Sequence, residues 1–157
     1  MSTEEEKKII FVCTGNTCRS PMAQALFAKK VAEGNLPVEV ESRGTSVYSD
    51  EVINPKAIEA LSTVGIRGFE HTAQSLSKED LDHADIILTM TQQQKMSITK
   101  IYPNYKYKVF TLTEYVTDSK DDISDPYGKS QIFYNFCVAE LGKLVDGLYE
   151  IVKEQME

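Results

Sequence analysis

Apolar positions along this chain fall in short blocks whose spacing switches between strand and helix patterns. Lys8 to Val12 (KIIFV) is an unbroken β-branched and aromatic run, as expected for a strand buried on both faces. After a loop, Pro21 fits a first helical position, and MAQALFAKKVAE continues as a helix that ends near Gly34. Val38 to Ser42 (VEVES) alternates like a strand. Asn54 and Pro55 read as the cap and first turn of a helix through KAIEALSTV, stopping at Gly65. Ser77 with Asp80 starts a short helix by a capping pattern. Ala84 to Met90 (ADIILTM) predicts a second buried strand, and Thr91 opens a helix through the glutamines towards Ile101. Tyr107 to Leu112 (YKVFTL) predicts a fourth strand. Phe133, Cys137, Leu141, Leu144, Leu148 and Val152 then form the apolar stripe of a long last helix.

Strands alternating with helices predict an α/β fold, a parallel sheet covered on both faces. Such sheets bind their ligands at the carboxyl ends of the strands, at a topological switch point. No repeat, low-complexity tract or linker interrupts the 157 residues, so one domain is expected over 1–157, with the first seven residues a loose tail.

Composition narrows the function. A hydrophobic content of 41% and a charged content of 26% are those of a soluble globular protein. MSTEEEKK has no apolar region of the secretory type, and no apolar run approaches membrane length, so a cytoplasmic protein without a membrane partner is expected. A net charge of −7 disfavours nucleic acid as a partner and requires that any anion be held by a local device. Three cysteines argue against a disulfide framework, and neither histidine lies in a cluster with zinc-ligand spacing.

That local device is the loop from Cys13 to Ser20 (CTGNTCRS), between the first strand and the first helix. A loop of this kind turns successive backbone N–H groups inward in front of a helix N-terminus, a nest for a tetrahedral oxyanion. It is not a nucleotide P-loop, because the Gly-Lys-Ser/Thr ending is missing. A thiol set in a ring of N–H dipoles is favoured as the thiolate. Cys13 at the loop's start would lie beneath a bound phosphorus for in-line attack, and Arg19 offers a planar fork to two phosphate oxygens. Thr14, Gly15, Asn16, Thr17 and Cys18 complete the cradle. Asn16 and Ser20 are suited to brace it, and Ser20 to donate a hydroxyl to the sulfur. The arrangement reads as a covalent phosphatase, in which the thiolate takes the phosphoryl group and water removes it. The proton donor is expected to be Asp125 in DPYG, held in a turn by Pro126 and flanked by Tyr127.

VCTGNTCRSPMA together with DPYG, in a chain of this size, resembles the low-molecular-weight protein tyrosine phosphatase family over nearly the whole length. The resemblance implies a three-layer fold, a four-stranded parallel sheet in the order 2-1-3-4 with helices on both faces, and no metal or cofactor. It implies Cys13 as nucleophile, Arg19 as clamp and Asp125 as general acid, with Ser42 and His71 hydrogen-bonded to Asn16. The implied partners are phosphorylated protein substrates, with inorganic phosphate as product and the protein itself a monomer. One departure matters. Tyrosine-specific members typically carry isoleucine where this chain has Thr17, and CTGNTCRSPMA with ILTMTQQQK and VFTLTEYV resembles the protein arginine phosphatase branch of Gram-positive bacteria. A smaller, polar Thr17 leaves room for a guanidinium, and Asp125 can pair with it. Thr17 and Tyr127 are therefore the expected selectivity residues, with phosphotyrosine as the alternative substrate.

Cys18 is a candidate redox partner for Cys13 within the same loop, and Cys137 is expected in the core. His83 suggests no function. Arsenate reductases share this loop but relay oxidation through further cysteines, which DHADIILTM lacks. A phosphocysteine carrier would not need both Arg19 and Asp125. A non-catalytic phosphoprotein-binding module would be expected to have lost Cys13 or Asp125.

Overall fold

The computed structural model describes residues 6–48 and 51–157. Strand β1 (Lys7–Cys13) is central, because its register serves two neighbours at once. Lys7 to Cys13 pair in parallel with Val38 to Gly44 of β2 (Val38–Gly44), and Ile9 to Val12 pair with Ile86 to Thr89 of β3 (Ile86–Thr89). Strand β4 (Val109–Thr111) completes a parallel sheet in the order β2-β1-β3-β4, as expected.

The unbroken apolar run of β1 follows from burial on both faces. Ile9 and Phe11 pack with α1 (Arg19–Glu33), α2 (Pro55–Ser62) and α6 (Gln131–Gln155). Ile10 and Val12 point the other way, into a second cluster with Leu81 of α3 (Lys78–His83) and Ile98 of α4 (Gln92–Ile101). Each of those four side chains is fully buried, a gain of roughly 1.5–3 kcal/mol apiece relative to exposure. On α6, Cys137, Leu141, Leu144, Leu148 and Val152 are buried, but Phe133 at the head of the stripe is 47% exposed. Among the described residues no helix is long and apolar enough to cross a membrane.

Several boundaries differ from expectation. Helix α1 starts at Arg19, so Pro21 is its third residue; the first N–H groups of a helix lack intrahelical acceptors, and a proline there loses nothing. The expected tail is shorter at its far end, since Lys7 opens β1 by donating its N–H to the Pro37 carbonyl at 2.9 Å. The start of that tail, residues 1–5, lies outside the described residues. Strand β3 is shorter than Ala84 to Met90 because Ala84 still caps α3, its N–H bound to the Asp80 carbonyl. Tyr107 and Lys108 close a 3-10 helix (Pro103–Lys108) instead of opening β4. Lys108 explains this: its buried ammonium donates to the Leu81 and Ala84 carbonyls at 2.6 and 2.7 Å, at the end of α3. Leu112 belongs to a short helix, α5 (Leu112–Val116), opened by a Thr111/Glu114 capping box.

Strand ends β1 and β2 meet where Cys13 pairs with Gly44, and here the packing leaves no room. A methyl group on Gly44 would sit 2.7 Å from the Thr14 carbonyl oxygen, 2.5 Å from Val47 Cγ2 and 3.0 Å from Asn16 Cβ. Two of these neighbours belong to the loop after β1, so Gly44→Ala should press directly upon it. Overpacking of this kind costs about 1–3 kcal/mol, and urea unfolding should report a loss of that size. An unchanged midpoint would mean that the loop yields freely.

Candidate active site

Residues Cys13 to Arg19 leave β1 and enter α1 in one tight curve, and most of its carbonyls accept hydrogen bonds from neighbouring elements. The Cys13, Thr14 and Thr17 carbonyls accept from Thr45, Ser46 and Asn54 N–H groups at 3.0, 2.9 and 2.9 Å. The Asn16 carbonyl accepts from His71 Nε2 at 2.9 Å, and the Cys18 carbonyl from the Met22 N–H at 3.1 Å. Among the described residues, no backbone N–H from Thr14 to Arg19 donates to a protein acceptor. Those donors and the N-terminus of α1 are what an oxyanion needs.

Asn16 makes the curve possible. Its φ is +58°, a left-handed conformation that asparagine adopts more readily than most residues, and it is fully buried. Nδ2 donates to Ser20 Oγ at 2.8 Å and to Ser42 Oγ at 3.0 Å, while Oδ1 accepts the Gln74 N–H at 2.9 Å. Ser42 Oγ donates in turn to Gln24 Oε1 at 2.6 Å. Ser20 Oγ lies 2.9 Å from Cys13 Sγ and 3.4 Å from the Arg43 carbonyl. Ser20 Oγ accepts from Asn16, and its one hydroxyl proton faces two acceptors, the nearer Cys13 sulfur and the more distant Arg43 carbonyl.

Arg19 is buried, with Nη1 donating to the Ile123 carbonyl at 2.9 Å and Nη2 3.5 Å from Asp125 Oδ2. Asp125 is the more exposed partner, and its Oδ1 accepts the Tyr127 N–H at 3.1 Å, the local turn that Pro126 suggests. Cys13, Arg19 and Asp125, read from opposite ends of the chain, thus meet around one pocket of about 260 Å³. Thr17 is on its wall and nearly buried; Tyr127 is on its rim and largely exposed.

Other residues of the site are not among those expected from the sequence. Gln94 is buried in α4, donates through Nε2 to Thr14 Oγ1 at 3.0 Å, and accepts the Met90 and Thr91 N–H groups. Gln74 acts through its backbone, so its residue type advertises nothing. Ser46, Tyr48 and Glu51 also line the pocket. Gln24 sits four residues after Ser20 on α1, a spacing from which its approach to the loop could have been read. Among the described residues no three His, Cys, Asp or Glu side chains are grouped as metal ligands.

Cys18 Sγ lies 3.5 Å from the Tyr134 hydroxyl of α6, and burial pushes its pKa up, against the hydrogen bonds from Tyr134 and Thr17. It is therefore a thiol at neutral pH. Cys137 is core, its thiol pushed up to about 12 by burial. His83 caps the local helix through the Glu79 carbonyl and stays away from the pocket.

A parallel sheet whose central strand ends in a thiol, beside inward N–H groups and a buried arginine, defines a phosphate-handling enzyme of the cysteine type. The chain belongs to the low molecular weight phosphotyrosine protein phosphatase family, whose model matches residues 8–157, and it is a cysteine-dependent protein phosphatase. It is 42% identical over 146 residues to a protein-arginine-phosphatase of Bacillus subtilis (strain 168), covering 93% of this chain and 97% of that one. It is 40% identical over 140 residues to the low molecular weight protein-tyrosine-phosphatase PtpB of Staphylococcus epidermidis, covering 88% and 94%. Among solved structures, an arginine phosphatase from Geobacillus stearothermophilus superposes with a TM-score of 0.88 at 39% identity, covering 95% of this chain and 94% of that one.

His71 gives the site a pH signature. Burial lowers its pKa below the ordinary 6.5, outweighing its bond to the Asn16 carbonyl. The unfolded chain therefore takes up a proton at a higher pH than the folded one. Stability from this group is complete above about 6.5 and is lost as pH falls through the lower folded value. Urea midpoints measured downward from neutral pH should fall, and His71→Gln should flatten that slope. Equal slopes in the two proteins would contradict it.

Proposed function

We propose that this protein hydrolyses phosphoarginine in protein substrates through a phosphocysteine formed on Cys13. The Cys13 thiolate attacks phosphorus in line, the loop N–H groups and the Arg19 fork hold the equatorial oxygens, and Ser20 steadies the sulfur. Asp125 gives a proton to the departing guanidine nitrogen, then takes one from the water that cleaves the S–P bond and frees inorganic phosphate. A phosphoryl group entering the pocket competes with Asp125 for Arg19 Nη2, which releases the carboxyl group towards the leaving nitrogen. No metal or cofactor takes part in this scheme.

The observation that carries the choice of substrate is Thr17, a small hydroxyl-bearing residue on the pocket wall. It leaves space and a hydrogen-bonding atom where a guanidinium would pass. The similarity to a protein-arginine-phosphatase points the same way. A phosphotyrosine reading has its own support: Tyr48 and Tyr127 on the rim offer aromatic faces to a phenol ring, and a tyrosine phosphatase is nearly as similar. On this reading the protein is a monomeric, single-domain cytoplasmic enzyme acting on phosphorylated proteins, and its net charge of −7 disfavours nucleic acid or an anionic membrane as partner.

Thr17→Ile tests the choice, because it adds bulk and removes a hydroxyl while leaving Cys13, Arg19 and Asp125 in place. A change of this kind is worth roughly 10–200-fold in relative kcat/KM. With paired peptides differing only in the phosphorylated residue, the phosphoarginine to phosphotyrosine ratio should favour arginine in the wild type and collapse in the variant. A wild type that prefers phosphotyrosine, or a ratio indifferent to the substitution, leaves the tyrosine reading in its place.

A further inference from the structure

We propose that Glu51 is a second specificity-determining carboxylate, which binds the outer edge of the substrate guanidinium while Asp125 serves the leaving nitrogen. The inference rests on the phosphoarginine reading above and names the group that the reading requires. A guanidinium phosphorylated on one nitrogen still carries N–H donors on the other two. Asp125 must act at the nitrogen that departs, so those outer donors need an acceptor of their own. Thr17 offers one neutral hydroxyl.

Glu51 lines the same pocket as Cys13, Thr17, Arg19 and Asp125, and it comes from a different segment of the chain. That segment is fastened to the phosphate loop. The Glu51 carbonyl accepts the Ala73 N–H at 2.8 Å, Val52 forms an antiparallel bridge with Thr72, and the Ile53 N–H donates to the His71 carbonyl at 3.1 Å. The Asn54 N–H donates to the Thr17 carbonyl at 2.9 Å, and the His71 ring holds the Asn16 carbonyl. The backbone bearing Glu51 is thus bonded to the peptides on both sides of Thr17, directly through Asn54 to the Thr17 carbonyl and indirectly through His71 to the Asn16 carbonyl. Glu51 is half-buried, and the backbone that carries it is fixed before a substrate arrives, which lowers the cost of engaging a planar cation there.

The same group discriminates against phosphotyrosine. A phenol ring has no donor along its edge, so seating it beside Glu51 strips water from a carboxylate and returns no hydrogen bond. Attraction to one substrate and the unpaired charge left by the other act in the same direction.

The test is kcat/KM on the paired phosphoarginine and phosphotyrosine peptides for the wild type, Glu51→Gln and Glu51→Lys. The arginine to tyrosine ratio should fall about tenfold or more in Glu51→Gln, the range for a hydrogen bond to a charged group, and further in Glu51→Lys. The ratio is internal to each preparation, so a partly misfolded fraction cancels. A wild type that prefers phosphoarginine, with variant ratios within about twofold of it, overturns the role of Glu51 and leaves the substrate reading standing. A wild type that prefers phosphotyrosine overturns both.

Discussion

The site depends on holding a stretch of backbone in a curve that leaves its N–H groups free, and Asn16 is where that constraint is met. A left-handed residue costs roughly 1–2 kcal/mol for an ordinary side chain. Asn16 offsets this with three side-chain hydrogen bonds in a fully buried setting, each made to a different part of the fold. Losing any one would leave a buried polar group unsatisfied, at about 1–3 kcal/mol. The strain is therefore the smaller quantity. Ser42 on β2, Gln74 after it and Ser20 on α1 all meet at one amide, so sheet, connecting loop and helix are fixed by the same group that shapes the anion nest.

From this follows the division of labour around the pocket. The loop supplies recognition of the phosphoryl group, which is common to every phosphomonoester or phosphoramidate. On the proposed reading, discrimination between substrates falls to the Thr17 side chain and to the residues around the nest: Tyr48, Glu51, Asp125 and Tyr127. In a chain with a net charge of −7, a cationic guanidinium meets a favourable field even before it reaches these groups. The phosphoryl dianion does not, and the buried Arg19 answers for it locally.

Much of this was legible in the sequence because the relevant signals are local. The buried β1, the Asn54 cap of α2, the Ser77 capping box and the Cys13–Arg19 loop each announce themselves within a few residues. Asp125 could be placed in a turn by Pro126, but its 3.5 Å approach to Arg19 is a long-range contact that only the sheet and α6 arrange. Strand β4 was read too long because a buried Lys108, bound to two carbonyls of another helix, overrides the local β-propensity of Tyr107 and Lys108. Helix α5 did carry a readable Thr111-x-x-Glu114 signature, hidden by the apolar run leading into it. Glu51 and Gln94 were invisible for a different reason: nothing about an exposed-looking glutamate or a glutamine in a polar run says which pocket it faces.

The central claim is that a phosphoryl group passes through Cys13, with Asp125 moving the proton. Mixing enzyme with a phosphoarginine peptide, quenching in the first turnover and mapping the label by mass spectrometry tests it most directly. The account predicts phosphate on the Cys13 peptide of the wild type, and none on the same peptide after Cys13→Ala. It also predicts that Asp125→Asn forms the intermediate more slowly by roughly 10²–10⁴-fold. Turnover without label on Cys13, or label arriving at the wild-type rate in Asp125→Asn, would contradict it.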